Sequence, residues 1–429
     1  MRRAIFLGLI TYALLLAGLA TLRSDLLALC LPFVLYLVIG YIAAPEEVNL
    51  EFDRQIDAER AMPNALIPVR LTITNRGPYL EELLLDDNLP AGLTLRSGST
   101  RSLVTLARGQ SHTWSYTVSG PRGSYAFEIL KAKATDYLAV AGREVRLEAA
   151  KAQLFVYPLV TRLRQVVIRP RRTRVYAGSI PARAGGAGTE FFGVRPYSEG
   201  DPPRSINWHA SARHVDELYA NEFQQERVAD VAIVLDGRWR TNEFSHGHSL
   251  FEHSVHAAAS LTDALLAQGN RVGLLVYSMY LHWTWPAYGK VQREKILQAL
   301  ASARPGGSDV FAGLEHIPTR LFPPHSQIVL VSPLNEDDLV PLIQLRANGY
   351  QVLAVTPDPV SFELSFLPKQ KEVDLAARVI RMERALPLRK LKRAGVQVLD
   401  WNIDQPLNKV VQRELSRVPA WLQMYGSLK

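Results

Sequence analysis

The residues best suited to chemistry are concentrated in one short segment, between positions 185 and 213. Carboxylates and guanidinium groups at short spacing form bidentate ion pairs, and a buried Trp anchors a loop. We therefore expect a structural clasp, with Trp208 buried and Arg204 in a buried ion pair, that fixes a β-domain against an α/β sheet. Binding of a protein partner and catalysis are the alternatives. The candidate site residues are Gly186, Gly188, Glu190, Arg195, Tyr197, Gly200, Asp201, Arg204, Asn207, Trp208, Ser211 and Arg213.

A glycine-rich loop, Gly-Gly-Ala-Gly at 185–188, opens this segment. A phosphate-binding loop needs Lys followed by Ser or Thr after its glycines, because these side chains bind the phosphates and Mg²⁺. Here Thr189 and Glu190 follow instead, and a carboxylate repels phosphate. We therefore do not expect this chain to hydrolyse ATP. No spacing of a nucleophile and a base indicates another enzyme.

The order and spacing of these motifs resemble the signature of the DUF58 family. The resemblance implies two membrane helices, a β-domain, this motif and a von Willebrand factor A-like α/β domain. It also implies a link to MoxR-type AAA+ ATPases and to the maturation or assembly of other proteins. The matching motifs, in chain order, are Gly186 with Gly188, Arg195-x-Tyr197, Gly200-Asp201, Arg204-x-Ile206-Asn207-Trp208 and Ser211-Ala212-Arg213.

Asp236 follows an apolar run, Val231 to Leu235, that predicts the first strand of the α/β domain. Ligands of open α/β sheets bind at the carboxyl ends of such strands. Metal-binding A-domains coordinate magnesium here through Asp-x-Ser-x-Ser, together with a Thr in a later loop and an Asp after a central strand. In this chain Arg238 and Arg240 replace the two serines.

The other two positions of that metal site differ as well. The later loop offers Gly307-Ser308-Asp309, and Ser332-Pro333 stands where the aspartate is expected. Magnesium demands nearly octahedral oxygen coordination, so we expect a degenerate site at Asp236 and no bound metal or other cofactor. Either Arg238 or Arg240 pairs with Asp236 and replaces the cation, or both arginines point to solvent.

Four histidines form the other cluster with metal-ligand character: His246, His248, His253 and His256. The last two are three residues apart on one face of a predicted helix, which is a spacing that can hold a zinc ion. The alternative is a helix start on the surface, preceded by a flexible loop.

Two basic clusters, Arg162 to Arg174 and Arg389 to Arg393, are candidates for contact with anionic lipid. A solvated basic face is the alternative. We do not expect nucleic-acid binding, because no aromatic residues are interleaved with these charges.

Two apolar runs, Ala4–Leu22 and Leu26–Ala44, are each long enough to cross a bilayer. Because only Arg23-Ser24-Asp25 separates them, we predict an antiparallel transmembrane helical hairpin over residues 1–44. Arg2 and Arg3 place the N-terminus in the cytoplasm, so the chain from Pro45 on is expected to be cytoplasmic. A cleaved signal peptide is the rival interpretation of the first run.

The remaining chain divides into a β-rich and an α/β part. Alternating apolar residues and turn signals over 46–157 predict an immunoglobulin-like β-sandwich. Residues 158–228 form a basic linker and the signature motif. Apolar strands alternate with amphipathic helices over 229–429, which predicts a doubly wound, mostly parallel sheet, and the family resemblance implies that this domain is von Willebrand factor A-like. The single cysteine, Cys30, excludes an intramolecular disulfide.

These features together favour a membrane-tethered interaction module that serves as a non-catalytic assembly or maturation factor. Its expected partners are a MoxR-type AAA+ ATPase, through the family resemblance, and membrane lipids, through the N-terminal hairpin. The alternatives are a structural or anionic-lipid-binding envelope protein and a hydrolase.

Overall fold

The computed structural model describes residues 2–42, 47–135, 142–164, 166–168, 174–213, 217–307 and 312–415. The chain divides into two compact units, Met1–Tyr157 and Pro158–Lys429. The first unit contains two N-terminal helices and two sheets, and the second contains a larger mixed sheet flanked by helices.

Two apolar helices begin the chain, α1 (Arg2–Thr21) and α2 (Ser24–Ile42). They contact each other, since the Sγ atom of Cys30 lies 3.9 Å from the carbonyl oxygen of Thr11. Helix α2 is long and apolar enough to cross a membrane, whereas the apolar part of α1, Ile5–Thr21, is shorter. Within the described part of the chain, α2 is therefore the one helix that meets the length of a membrane span.

The β-rich part of the first unit consists of two sheets. One has the order β1-β3-β7-β5 and the other the order β2-β9-β8-β4-β6. Neighbouring strands are antiparallel, apart from β2 beside β9. The strands are β1 (Leu50–Ile56), β2 (Arg60–Ala61), β3 (Ile67–Asn75), β4 (Leu80–Asp87), β5 (Thr94–Gly98), β6 (Arg101–Leu106), β7 (Ser111–Ser119), β8 (Gly123–Thr135) and β9 (Gly142–Val156).

A shared apolar core holds these two sheets together. Strand β3 shows the pattern, because Ile67, Val69, Leu71 and Ile73 are buried while the residues between them face outward. They pack with buried residues of β4, β7 and β8 in a single cluster. Two sheets around one core form a β-sandwich, and its immunoglobulin-like type remains a prediction.

A buried ion pair between Arg54 and Asp87 lies inside this sandwich. Asp87 accepts hydrogen bonds from Arg54, at 2.5 Å, and from the hydroxyl of Tyr116, at 2.6 Å. The guanidinium of Arg54 also lies 5.1 Å from the ring centre of Phe52 and 5.3 Å from that of Phe127. Burial raises the pKa of Asp87 in spite of the opposing charge of Arg54. Removing either ionic partner alone would leave a buried charge uncompensated.

The second unit alternates strands and helices, and β10 and β11 form a separate antiparallel ribbon. The strands are β10 (Arg174–Pro196), β11 (Tyr219–Val228), β12 (Asp230–Asp236), β13 (Phe244–Ser245), β14 (His248–Ser249), β15 (Arg271–Tyr277), β16 (Leu281–Ala287), β17 (Gln327–Val331), β18 (Gln351–Pro357) and β19 (Gln397–Trp401). The helices are α3 (Trp208–Ser211), α4 (Leu250–Ala267), α5 (Gly289–Ser302), α6 (Leu339–Ala347), α7 (Pro359–Leu364), α8 (Lys371–Arg393) and α9 (Leu407–Leu415).

The main sheet has the strand order β16-β15-β12-β17-β18-β19. Neighbouring strands are parallel, except that β16 runs antiparallel to β15. Numbered along the chain within this sheet, the order is 3-2-1-4-5-6, which is a doubly wound arrangement. The strand order reverses between β12 and β17, so the site expected for such a sheet lies where those two strands end, at Asp236 and Ser332.

Most of the predicted elements of this unit are present, but a few differ from the prediction. The glycine-rich segment 185–188 lies within β10, so its prediction as a loop was wrong. The antiparallel strand β16 and the short helix α7 were not predicted. The last predicted helix, over 407–422, is described as far as Leu415, and its remainder lies outside the described residues.

Candidate functional site

Asp236 is fully buried at the carboxyl end of β12, where its carboxylate forms an ion pair with the side chain of Arg238. The Nε of Arg238 donates to Oδ1 at 2.9 Å, and one of its terminal nitrogens donates to Oδ2 at 2.8 Å. The backbone N–H of Arg238 also donates to Oδ1, at 3.0 Å. The guanidinium is therefore held against both oxygens of the Asp236 carboxylate.

A second carboxylate, that of Asp338, binds the other side of the same guanidinium. Two nitrogens of Arg238 donate to Asp338, at 2.8 and 2.9 Å, and one also donates to the carbonyl oxygen of Ala312 at 3.1 Å. All five N–H donors of the guanidinium are thus used. Asp338 ends the short 3₁₀ turn that precedes α6, and its carboxylate accepts a hydrogen bond from the backbone N–H of Asn335 at 2.9 Å.

Hydroxyl groups complete the surroundings of Asp236. Ser332, at the end of β17, donates to Oδ2 at 2.6 Å, and Thr241 donates to the same atom at 3.0 Å. Ser332, where the sequence pattern predicts that the aspartate of a metal-binding A-domain is replaced, is a hydrogen-bond donor to Asp236. We name Asp236, Arg238, Thr241, Ser332 and Asp338 the arginine cluster.

The arginine cluster is buried and strongly coupled. Burial alone would lower the pKa of Arg238, but its hydrogen bonds and the charges of Asp236 and Asp338 outweigh burial and raise that pKa. For Tyr277, at the end of the neighbouring β15, burial acts in the opposite direction and raises the pKa to about 12. Two buried carboxylates thus share one guanidinium.

The two alternatives for the arginines are now resolved. Arg238 pairs with Asp236, while Arg240 is exposed and takes part only through its carbonyl oxygen, 3.2 Å from the side-chain nitrogen of Asn335. Of the later loop, Gly307 is described, and Ser308 and Asp309 lie outside the described residues. Sequence reasoning missed Asp338, although the Asn335-x-x-Asp338 capping box marks a fixed carboxylate there.

Large side chains are exposed beside the arginine cluster, at the same edge of the sheet. Trp239 is 63% exposed and its ring centre lies 6.0 Å from that of Phe244. The loop that carries Trp239 is hydrogen-bonded to Gly306, which lies against Met279. Met279 and Tyr280 are exposed as well, Tyr280 at 76%. We name Trp239, Phe244, Met279 and Tyr280 the aromatic surface.

The signature motif forms a local clasp within the second unit. Arg195 and Asp201 make a bidentate ion pair with distances of 2.7 and 2.8 Å. The hydroxyl of Tyr197 donates to the carbonyl oxygen of Asp201 at 2.7 Å. Gly200 has a φ of +103°, which a residue with a side chain rarely adopts, and so allows the tight turn before Asp201. The hydrogen bond from Arg195 lowers the pKa of Asp201.

Asn207 fastens the next part of the motif to β11. Its side-chain oxygen accepts from the backbone of Ala210 at 2.9 Å and caps α3, and its nitrogen donates to Asn221 at 2.7 Å. The hydroxyl of Ser211 donates to the carbonyl oxygen of Asn207 and accepts from the backbone N–H of Tyr219. The motif thus forms a local clasp between residues 195 and 221 of the second unit, and its expected role in fixing the β-domain against the α/β sheet stays a prediction.

Two expectations for this motif were wrong. Trp208 is 69% exposed rather than buried, because α3 has a single turn and turns the indole to solvent. Arg204 is exposed too, on the 3₁₀ turn 203–205, and Arg213 ends the motif in an exposed position. The backbone of Gly186, Gly188 and Glu190 is part of β10. The surroundings of the Glu190 side chain lie outside what the structure describes.

The histidine cluster is arranged around aromatic rings. His246 and His248 stack on Phe366, at 5.4 and 5.5 Å between ring centres, and His253 and His256 meet Trp401 at 5.9 and 6.0 Å. Burial lowers the pKa of both His253 and His256. Among the described residues, no group of three or more His, Cys, Asp or Glu is placed to hold a metal ion.

Solved structures similar to this chain match it over about a quarter of its length. A FixG-related protein from Vibrio parahaemolyticus has 10% identity and a TM-score of 0.18, over 25% of this chain and 95% of its own. The VesB protease of Vibrio cholerae has 19% identity and a TM-score of 0.17, over 25% of this chain and 32% of its own. A beta-glucosidase from Listeria innocua has 9% identity and a TM-score of 0.15, over 24% of this chain and 16% of its own. This chain therefore spans less than a third of the protease and of the glucosidase.

Family comparison gives a match to the part of the chain that contains both the clasp and the arginine cluster. No curated protein shows significant similarity to the chain. Residues 193–379, somewhat less than half of the chain, match the family described as "Protein of unknown function DUF58". This match supports the resemblance to the DUF58 family that the sequence motifs indicate.

Proposed function

We propose that this protein is a membrane-tethered interaction module whose α/β domain binds a protein partner without a metal ion. In this proposal it is a non-catalytic assembly or maturation factor, and its partner is a MoxR-type AAA+ ATPase. The family resemblance supports the choice of partner, and α2 supports the tether. The hairpin topology, with both α1 and α2 in the bilayer and the remainder in the cytoplasm, is part of the proposal.

The strand order of the main sheet supports a von Willebrand factor A-like fold for this domain. The resemblance implies a doubly wound α/β domain, and the main sheet has that arrangement, with β16 antiparallel to β15. A domain of this kind binds its partners at the carboxyl edge of the sheet, where its metal would be. Asp236 and Ser332 lie at this edge, at the ends of the two central strands.

The observation that carries the proposal is the position of the Arg238 guanidinium. It fills the space between Asp236 and Asp338 and satisfies both carboxylates through short hydrogen bonds. A cation would have to displace a buried, fully bonded arginine, and a divalent ion would also have to leave its water shell. The carboxyl edge is therefore held in one conformation by the protein itself, and partner binding does not depend on metal.

The aromatic surface supplies contact groups next to that rigid base. Exposed Trp and Tyr residues are the side chains that most often contribute strongly to protein interfaces, because they bury a large area with little loss of conformational freedom. Trp239 directly follows Arg238 in the chain, so the arginine cluster fixes the loop that presents it.

The proposal is tested by purifying the full chain from membranes in mild detergent and probing for an AAA+ ATPase. We expect the ATPase with the natural chain and at least about thirtyfold less with Trp239→Ala combined with Tyr280→Ala, because two interface hot spots of about 1–2 kcal/mol each are lost together. Trp285→Ala is the matched control, since Trp285 is 66% exposed but lies on the edge strand β16. Absence of the ATPase from the natural chain would overturn the proposed partner. Equal recovery with the double variant and with the Trp285→Ala control would overturn the proposed surface.

A further inference from the structure

Helix α8 has an exposed apolar stripe opposite the face that packs on its own domain. Leu375, Val379, Met382 and Leu386 follow one another at spacings of four, three and four residues, and they are about half to three-quarters exposed. At about 100° per residue this spacing keeps all of them on one face of the helix. The buried residues of α8 lie on the opposite face and are Ala377, Leu388 and Leu391.

Basic side chains border this stripe and continue past its end. None of them is in an ion pair with a residue in the described ranges, in contrast to Arg384, which lies 3.5 Å from Asp358. Acidic residues are fewer, with Glu372 and Glu383 on the other border and Asp374 farther from the stripe. The bordering basic residues are Lys371, Arg378, Arg389, Lys390, Lys392 and Arg393, and all are exposed.

We propose that this face of α8 lies on an anionic lipid bilayer, with the stripe at the level of the headgroups. Charge decides between the possible occupants, because two copies of a basic helix would repel each other whereas anionic lipid attracts it. The inference rests on the proposed membrane tether, which keeps the domain near lipid, and it assigns a surface other than the aromatic surface.

The C-terminal half of α8 contributes most to this binding. After Leu386 the exposed residues are Arg389, Lys390, Lys392 and Arg393, with no acidic residue among them. A single basic residue near an anionic surface strengthens association by about fivefold at moderate salt. Neutralising several of them should therefore release the helix while leaving the chain anchored.

The test uses the full chain with Cys30→Ser as background, reconstituted in vesicles and carrying one nitroxide label. The labelled variants are Met382→Cys on the stripe, Val291→Cys on α5 as the matched control, and Leu35→Cys on α2 as the reference for insertion. Val291 is 70% exposed and also apolar, but it belongs to another helix. Vesicles contain phosphatidylcholine alone or with about 30% phosphatidylglycerol, and collision rates with oxygen and with a water-soluble nickel complex report lipid exposure.

The expected result is that the label at 382 gains oxygen and loses nickel collisions only in the anionic vesicles, and that about 0.5 M salt reverses this change. The combined variant Arg389→Gln, Lys390→Gln, Lys392→Gln and Arg393→Gln should abolish it. A label at 382 that stays in water while the label at 35 is in lipid would overturn the inference and leave the tether intact. Spin–spin coupling between labels at 382 would overturn it in favour of a second copy. A label at 35 that remains in water would contradict the tether itself.

Discussion

Arg238 lies between two buried carboxylates that would repel each other without it. Like charges about 4 Å apart cost about 1–4 kcal/mol at intermediate dielectric, and burial adds the cost of lost hydration. The guanidinium suits this position because its planar donors bind both carboxylates at once, whereas an ammonium group is a single point charge. The geometry thus explains why Arg suits the space between the two carboxylates better than Lys would.

Replacing Arg238 should lower the free energy of unfolding, whereas replacing Arg240, two residues later in the chain, should hardly change it. We expect Arg238→Ala to lower the free energy of unfolding of the second unit by about 3–5 kcal/mol, because Asp236 and Asp338 lose their compensating charge. Arg240→Ala, the matched control at an exposed position, should change it by less than about 0.5 kcal/mol. Urea denaturation followed by hydrogen exchange in β12 measures both. Equal stability of the two variants would mean that the cluster does not hold the sheet edge together.

The partly buried histidines of α4, His253 and His256, should give the second unit a pH dependence. His256 lies 2.8 Å from the hydroxyl of Thr161, and burial lowers its pKa and that of His253. A lowered pKa in the folded state means that the neutral form stabilises the fold. This stability is present above the unfolded pKa of about 6.5 and is lost as the pH falls through the lower folded value.

We therefore expect the melting temperature of the second unit to fall on acidification from about pH 7 to pH 5. The combined variant His253→Asn and His256→Asn should flatten this curve, whereas His209→Asn, at an exposed position, should leave it unchanged. Thermal unfolding followed by circular dichroism measures this. An unchanged slope in the double variant would show that other groups cause the acid sensitivity.

Sequence reasoning at the level of residues was right about local pairs and incomplete about distant ones. Arg238 is two positions from Asp236, so their pairing was among the alternatives. Asp338 is too far along the chain for spacing to reveal, because its place in the cluster depends on the parallel arrangement of β12 and β17. The expectation for Trp208 failed because a large apolar side chain favours burial only on average.

At the level of elements, the clasp depends on short hydrogen bonds and not on apolar packing. Asn207→Ala should expose the ribbon of β10 and β11 to faster hydrogen exchange, by an amount corresponding to about 1–2 kcal/mol, because it removes the cap of α3 and the bond to Asn221. Trp208→Ala should cost less than about 0.5 kcal/mol, since the indole is exposed. Hydrogen exchange of the backbone amides between residues 195 and 221 distinguishes the two variants. A larger effect of Trp208→Ala than of Asn207→Ala would contradict this expectation and indicate that Trp208 anchors the loop through burial.

The predicted elements agree with the structure where the hydrophobic pattern is long and regular. Strand β12 and helix α4 were recognised because an uninterrupted apolar run and a capped amphipathic stripe are strong signals. Strand β16 was missed because it lies at the edge of the sheet and contains polar residues and Pro286. Helix α7 has only six residues, which is too short for a helical period to show.

At the scale of the whole molecule, the proposed topology makes the large soluble part cytoplasmic. Protease added to intact spheroplasts should leave that part uncut, because the positive charges of Arg2 and Arg3 hold the N-terminus inside. Permeabilised spheroplasts are the control, in which the same sites must be cleaved. Digestion from outside would invert the topology and remove the proposed cytoplasmic ATPase partner.

The central claim is that a guanidinium replaces the cation at the carboxyl edge of the sheet. Isothermal titration calorimetry of the detergent-solubilised full chain with magnesium and with manganese tests it most directly. The account predicts no stoichiometric heat of binding, because the donors of Arg238 already occupy the oxygens of Asp236 and Asp338. Stoichiometric binding that disappears in Asp236→Ala would contradict it and show a functional metal site.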